Sequence, residues 1–214
     1  IHPAEPAQAS SPTTHGGRGP QPYRQDPGSI LLAATPIGDV RDASPRVIAA
    51  LKEADVVAAE DTRRALALAS RLGIKLGGRL IALHDHNEAE KSASIVEAAS
   101  AGARVVFVSD AGMPTVSDPG FRLARAAIDA GVPLSVLPGP SAPLVALALS
   151  GLPSDRFAFE GFLPRKDGEA TRYLQDLATD PHTLIFFESP RRAATTLSRM
   201  AEVLGGDRRA ALCR

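Results

Sequence analysis

From Ser29 onward the chain alternates between two hydrophobic rhythms. Short runs rich in Val, Ile and Leu ("ILLAAT", "VVAA", "LIAL", "RVVFV" and "LSVL") are apolar at nearly every position. Runs of this kind suit strands buried on both faces of a parallel sheet. Between them lie longer stretches of helical period, and that alternation is the signature of βαβ units. Ser44 with Pro45 predicts the start of the first helix and Asp61 the second. Asn87 with Glu90 opens the third, Asp118 with Pro119 the fourth and Ser141 the fifth. Gly73, Gly102 and Gly131 stand where helices should stop. The pattern predicts five strands and five helices by about residue 150, an α/β domain over 29–150, doubly wound or three-layered around a parallel sheet.

The stretch "SGLPSDRF" breaks the rhythm and reads as a linker. Beyond it, "FAF", a polar helix from about Glu169 to Ala178, the strand "TLIFF", a helix opened by Ser189 and Pro190, and a final strand "AALC" predict the start of a second α/β domain over 151–214, one that stops early. Residues 1–28 hold six of the 18 prolines, with Ile1 and Tyr23 as their only large apolar residues. A segment that can bury so little does not offset its ordering entropy, and we expect a disordered, proline-rich tail.

Composition narrows the classes. With 44% hydrophobic and 22% charged residues the chain reads as globular, and 24 basic residues balance 24 acidic ones, so no whole-molecule field attracts a polyanion. Any nucleic-acid partner must meet a local patch. Cys213 is the lone cysteine, which excludes an internal disulfide. No apolar run reaches the roughly 18 residues of a membrane span and no signal peptide is visible, so the expectation is a cytoplasmic protein without membrane attachment.

The polar clusters fall at one kind of place. "TPIG" (residues 35–38) follows the first predicted strand, "EDTR" (60–63) the second and "HDHNE" (84–88) the third. "SDAGMP" (109–114) follows the fourth and "PGPSA" (138–142) the fifth. All five sit at strand carboxyl ends, the edge of an open parallel sheet where ligands bind. Asp61, Asn87, Asp118 and Ser141 are equally readable as helix caps, and Asp118, followed by Pro119, is the clearest of them. Asp110 has no helix directly behind it to cap, which points its carboxylate at a ligand. His84 and His86 suit either a metal or polar substrate contacts, but no Cys or third His lies near them in sequence. There is no G-x-x-x-x-G-K-[ST], no G-x-G-x-x-G after the first strand and no G-x-S-x-G elbow.

Read in order, "ATPIGDVRDASPRVIAALKEADVVAAEDTRR", "HDHNE", "VSDAGMPTVSDPGFRLARAAIDAGVPLSVLPGPSA", "SGLPSDRFAFEGFLPRK" and "TLIFFESPRR" resemble the branch of the tetrapyrrole methylase family that modifies small-subunit ribosomal RNA. The likeness runs from about Ile30 to the end of the chain. It departs from the family in the added N-terminal tail, in the missing strands after Arg214, and in Met113, where a smaller residue such as Thr is expected.

The resemblance implies two α/β domains with S-adenosylmethionine bound in the cleft between them, and 2′-O-methylation of a cytidine ribose in 16S ribosomal RNA within the small subunit, by a homodimer. It assigns cofactor contacts to Pro36, Ile37 and Gly38, to Asp110, Ala111, Gly112 and Met113, to Ser141 and Ala142, and to Phe187 from the second domain. Methyl transfer from a sulfonium needs alignment above all, plus a base for the hydroxyl proton. Glu60 and Asp61 are the candidates for that base. Arg63, His84, His86, Asn87 and Arg191 are expected to face substrate, the arginines on phosphates. Two other readings stay open: a methylase of a small acceptor such as a tetrapyrrole, and a noncatalytic fragment.

Overall fold

The computed structural model describes residues 28–214, so the expectation for the proline-rich tail lies outside the described residues but for Gly28. Five parallel strands form the first sheet: β1 (Ser29–Ala33), β2 (Val56–Ala59), β3 (Arg79–Ala82), β4 (Arg104–Val108) and β5 (Leu134–Leu137), in the order β3-β2-β4-β1-β5. The apolar runs anticipated each of them.

Successive side chains of a strand point to opposite faces, and the two faces here have separate cores. Ile30, Leu32, Val56, Ala58, Val105 and Phe107 face one side, where they meet Ile95, Val96 and Ala99 of α3 (Glu88–Ser100) and Leu123 and Ala127 of α4 (Phe121–Asp129). Leu31, Ala33, Val57, Ala59, Val106 and Val108 face the other, against Val47, Ala50 and Leu51 of α1 (Pro45–Glu53) and Ala65 of α2 (Thr62–Arg71). The unit is a three-layer α/β/α sandwich, closed by α5 (Ala142–Ser150) after β5.

Helix ends follow the punctuation in part. Gly73, Gly102 and Gly131 take left-handed φ of 66°, 101° and 66° just past α2, α3 and α4, a conformation that costs glycine nothing. The Ser44 side chain accepts from the Val47 amide, and Asp61 accepts from Arg63. Asn87 and Ser141 hold cap positions without a side-chain capping bond. Asp118 departs altogether: α4 begins at Phe121 behind Gly120, because Thr115 and Ser117, both at positive φ, carry the chain through an extra turn first.

The second unit pairs β6 (Phe157–Phe162) with β7 (Thr183–Phe187) in parallel, with α6 (Asp167–Asp176) between them and α7 (Ala193–Leu204) after them. Ser189 and Pro190 do not open α7. The amides of Arg192 and Ala193 both bond to the Ser189 carbonyl, forming a turn that delays the helix. The expected strand "AALC" is irregular, since these residues pair with no ladder and Leu212 is 72% exposed. No helix among the described residues is long and apolar enough to cross a membrane.

Candidate active site

The helices themselves create a cleft. α1 and α2, which follow β1 and β2, cover one face of the sheet, whereas α4, which follows β4, covers the other. β4 lies between β1 and β2, so the connections leaving its carboxyl end diverge from those on both sides and leave a crevice. A cavity of about 260 Å³ occupies that place, lined by Thr35 and Pro36 after β1, Glu60 and Asp61 after β2, Ser109 and Asp110 after β4, and Arg64, Leu68 and Arg71 of α2.

Backbone bonds tie the loops together. Thr35 and Gly112 exchange amide-to-carbonyl bonds of 2.9 and 3.0 Å, an antiparallel bridge between the β1 and β4 loops. Gly112 sits at φ 80°, and a Cβ there would meet Ile37 Cγ2 at 3.3 Å. At Gly139 a Cβ would meet that of Ala34 at 2.8 Å. These two glycines let the first, fourth and fifth strand loops close on one another.

Two adjacent carboxylates differ in kind. Burial pushes Glu60 above the usual carboxylate range, with Asp110, Asp118 and Asp85 adding repulsion, while the Asp110 amide donates to Glu60 Oε2 at 3.1 Å and pulls the other way. Asp61 is held down at about 2 by Arg63, whose guanidinium lies 2.8 Å from Oδ2 and whose amide also donates to the carboxylate. A carboxylate that acidic is the weaker proton acceptor of the two expected bases.

Asp110 has more structural work than its sequence position suggested. Its Oδ1 accepts from the Asp61 amide at 3.2 Å and its Oδ2 pairs with Arg64 at 3.3 Å, so it serves the start of a distant helix, α2. Asn87 is likewise committed: its Oδ1 accepts from the His84 amide and its Nδ2 donates to the Ala82 carbonyl. These two bonds shape the loop. His84 and His86 stack edge to face with centroids 6.0 Å apart, and no metal-ligating cluster occurs among the described residues.

Of the remaining expected residues, Pro36 lines the cavity, whereas Ile37, Gly38, Ala111, Gly112, Met113 and Ser141 lie in loops outside its lining and Ala142 opens α5. Phe187 packs with Phe159 and Phe162 in the second unit, centroids 4.9 and 5.4 Å away. Arg63 is engaged by Asp61, and Arg191 is exposed. The sequence reading missed Arg71, which donates to the Gly38 carbonyl at 3.3 Å, and Leu68. Their spacing from Arg64, four and seven residues along one helix face, was the signal available. It read Asp118 as a helix cap; burial raises that carboxyl and the Ser109 hydroxyl lowers it.

A parallel three-layer unit with its chemistry at the strand ends, followed by a second α/β unit, is the architecture of a class of methylases. The family model for Tetrapyrrole (Corrin/Porphyrin) Methylases matches residues 29–214, and the chain belongs to that family. It is 54% identical over 187 residues to "Ribosomal RNA small subunit methyltransferase I" of Mycobacterium tuberculosis (strain CDC 1551 / Oshkosh), covering 87% of this chain and 66% of that protein. It is 49% identical over 193 residues to the protein of the same name from Mesorhizobium japonicum, covering 90% and 65%. The chain thus spans just under two thirds of the length of these relatives.

Among solved structures it resembles the methyltransferase CobJ, with a TM-score of 0.61 and 25% identity over 83% of this chain and 75% of that one. Uroporphyrin-III C-methyl transferase from Thermus thermophilus, complexed with S-adenyl homocysteine, shares the fold at a TM-score of 0.58 and 23% identity over 82% and 76%.

Proposed function

We propose that the full-length protein transfers a methyl group from S-adenosylmethionine to the 2′-hydroxyl of a cytidine in 16S ribosomal RNA. The observation that carries the reading is Glu60, a half-buried carboxylate with a raised pKa at the crevice beside β4, in a family of methylases whose relatives at 54% and 49% identity are named for ribosomal RNA. The donor set fits the cofactor. Asp85, Asp110 and Asp118 repel Glu60, Asp85 and Asp110 repel Asp118, and a bound cation would relieve that repulsion. S-adenosylmethionine, when bound, would supply a methyl group on a sulfonium, whose neutral thioether, S-adenosylhomocysteine, is the leaving group.

The chain's own residues do the rest. Pro36–Gly38, Asp110–Met113 and Ser141–Ala142 are the loops that would hold the cofactor, and the Thr35–Gly112 bridge fixes two of them relative to each other. Phe187 would add an apolar contact from the second unit. Glu60 takes the hydroxyl proton as the bond to carbon forms; its raised pKa makes it a better acceptor than an ordinary carboxylate. Arg63, His84, His86 and Arg191 face the RNA. The small-subunit setting, a cytoplasmic location and a homodimer belong to the same reading. Exposed Leu144, Val145 and Leu149 on α5 and Val136 on the edge strand β5 are apolar surface for a second copy.

The test is methylation of purified small subunits from cells lacking the protein, with mass spectrometry of the RNA. Appearance of 2′-O-methylcytidine supports the reading. Binding should weaken with salt at a slope of about −0.7 per phosphate contact, and Arg63→Ala with Arg191→Ala should flatten it. Methylation of a tetrapyrrole but not of subunits would transfer the assignment to a small acceptor.

A further inference from the structure

Glu88 closes the motif "HDHNE" and is 4% exposed, yet neither the cavity nor the proposed chemistry uses it. Its Oε1 accepts three backbone amides of another segment: Gly120 at 2.9 Å, Arg122 at 2.9 Å and Leu123 at 3.2 Å. These are orphan donors of the first turn of α4. That helix has no side chain of its own to satisfy them. Its cap is Gly120, at φ 119°, and a Cβ there would lie 2.7 Å from Phe107 Cε1 and 3.2 Å from Thr115 Cγ2. Any residue able to cap would collide with the core. A carboxylate from the first turn of α3 does the capping from outside.

The segment anchored in this way is strained. Thr115 and Ser117 have φ of 74° and 60°, the left-handed region that a β-branched residue rarely enters, and the Thr115 amide closes the turn onto the Pro119 carbonyl at 3.1 Å. Such a conformation persists only if both ends are held. The Thr35–Gly112 bridge holds the beginning and Glu88 the end. The tip of the turn meets the second unit: a Cβ on Gly161 would lie 3.3 Å from Ser117 Oγ. Gly161 itself is at φ 64°, at the irregularity in β6 where the register against β7 shifts.

We propose that Glu88 is a positioning residue: by fixing the start of α4 it holds the strained 115–118 turn against Gly161 of β6 and so sets the relation of the two units across the cofactor cleft. The part concerning cofactor rests on the function proposed above; the part concerning the two units does not. Asp118 belongs to that turn, and Ser109 lines the cleft.

Amide hydrogen exchange and calorimetric titration with S-adenosylhomocysteine, on the full-length protein, test both parts. Glu88→Ala should speed exchange at Gly120, Arg122 and Leu123 and also in Phe159–Phe162, and should weaken S-adenosylhomocysteine by about tenfold, the scale of lost charge-assisted hydrogen bonds. Glu88→Gln, which keeps an acceptor oxygen, should restore most of both. Ser117→Gly, with Glu88 intact, should speed exchange in Phe159–Phe162 while the α4 amides stay protected, which keeps the test alive if Glu88→Ala does not fold. Faster exchange confined to the start of α4, with β6 and ligand affinity unchanged, overturns the proposal and reduces Glu88 to a local cap. Should the wild type take no S-adenosylhomocysteine, the proposed function falls, and the exchange in β6 alone decides the role of Glu88.

Discussion

The two α/β units are written in the same alternation of strand and helix but reach different degrees of burial. In the first, β1, β2 and β4 are buried at nearly every position, because each has a strand on both sides and a helical layer on both faces. In the second, among the described residues, β6 and β7 pair with each other alone, and Phe157 and Phe162 are 42% and 58% exposed. A strand is a core element through its neighbours, and apolar composition only qualifies it. The first unit can therefore carry costly features at its sheet edge, a raised carboxylate and a strained turn, because a dense interior holds their bases in place.

Substitutions at matched aromatic positions break the comparison most directly. Phe107 is fully buried in the core shared with α3 and α4, and Phe107→Ala should lower stability by about 3–5 kcal/mol in denaturant unfolding. An equal loss from Phe162→Ala would mean that the units are not different in kind.

Next in size, Glu60→Gln should reduce methyl transfer at saturating cofactor by about 100-fold, the usual scale for a lost general base. Single-turnover rates with bound cofactor measure it, and a loss in affinity alone would return Glu60 to a binding role.

A pH profile sharpens the contrast between the neighbouring carboxylates. Glu60 is raised, so transfer should increase with pH through a midpoint above the ordinary carboxylate range, and Glu60→Gln should remove that step. For stability the sign is opposite. Keeping Glu60 protonated favours the fold below its unfolded pKa, and that contribution disappears as pH rises through the folded one. Asp61, lowered to about 2, contributes stability above its unfolded pKa and loses it as pH falls toward 2. Asp61→Asn should therefore flatten acid unfolding below pH 4 and leave the activity midpoint in place. The smallest effect is expected at Phe162→Ala, under about 1 kcal/mol by thermal unfolding, since most of that ring is already in water.

Much of this was legible beforehand, for identifiable reasons. β1, β2 and β4 were readable because doubly buried strands are apolar throughout, and the ends of α2, α3 and α4 because glycine alone takes the left-handed residue cheaply. The site was legible as an edge, since chemistry collects at strand carboxyl ends, but not as a set of roles. Asp118 looked like the best cap in the chain and caps nothing. Asp110 seemed to lack a helix and serves α2, 49 residues away in sequence at Asp61.

Local pattern thus determined the alternation of elements, the parallel class and the edge on which to look, because these follow from side-chain period and backbone preference within a few residues. Asp61 is lowered by Arg63 two residues along, but which carboxylate is raised and which one caps α4 was decided by the tertiary structure alone. Burial, ion pairing and capping depend on groups that the fold brings within about 3 Å from positions tens of residues apart, such as Glu88 and Gly120 or Asp61 and Asp110.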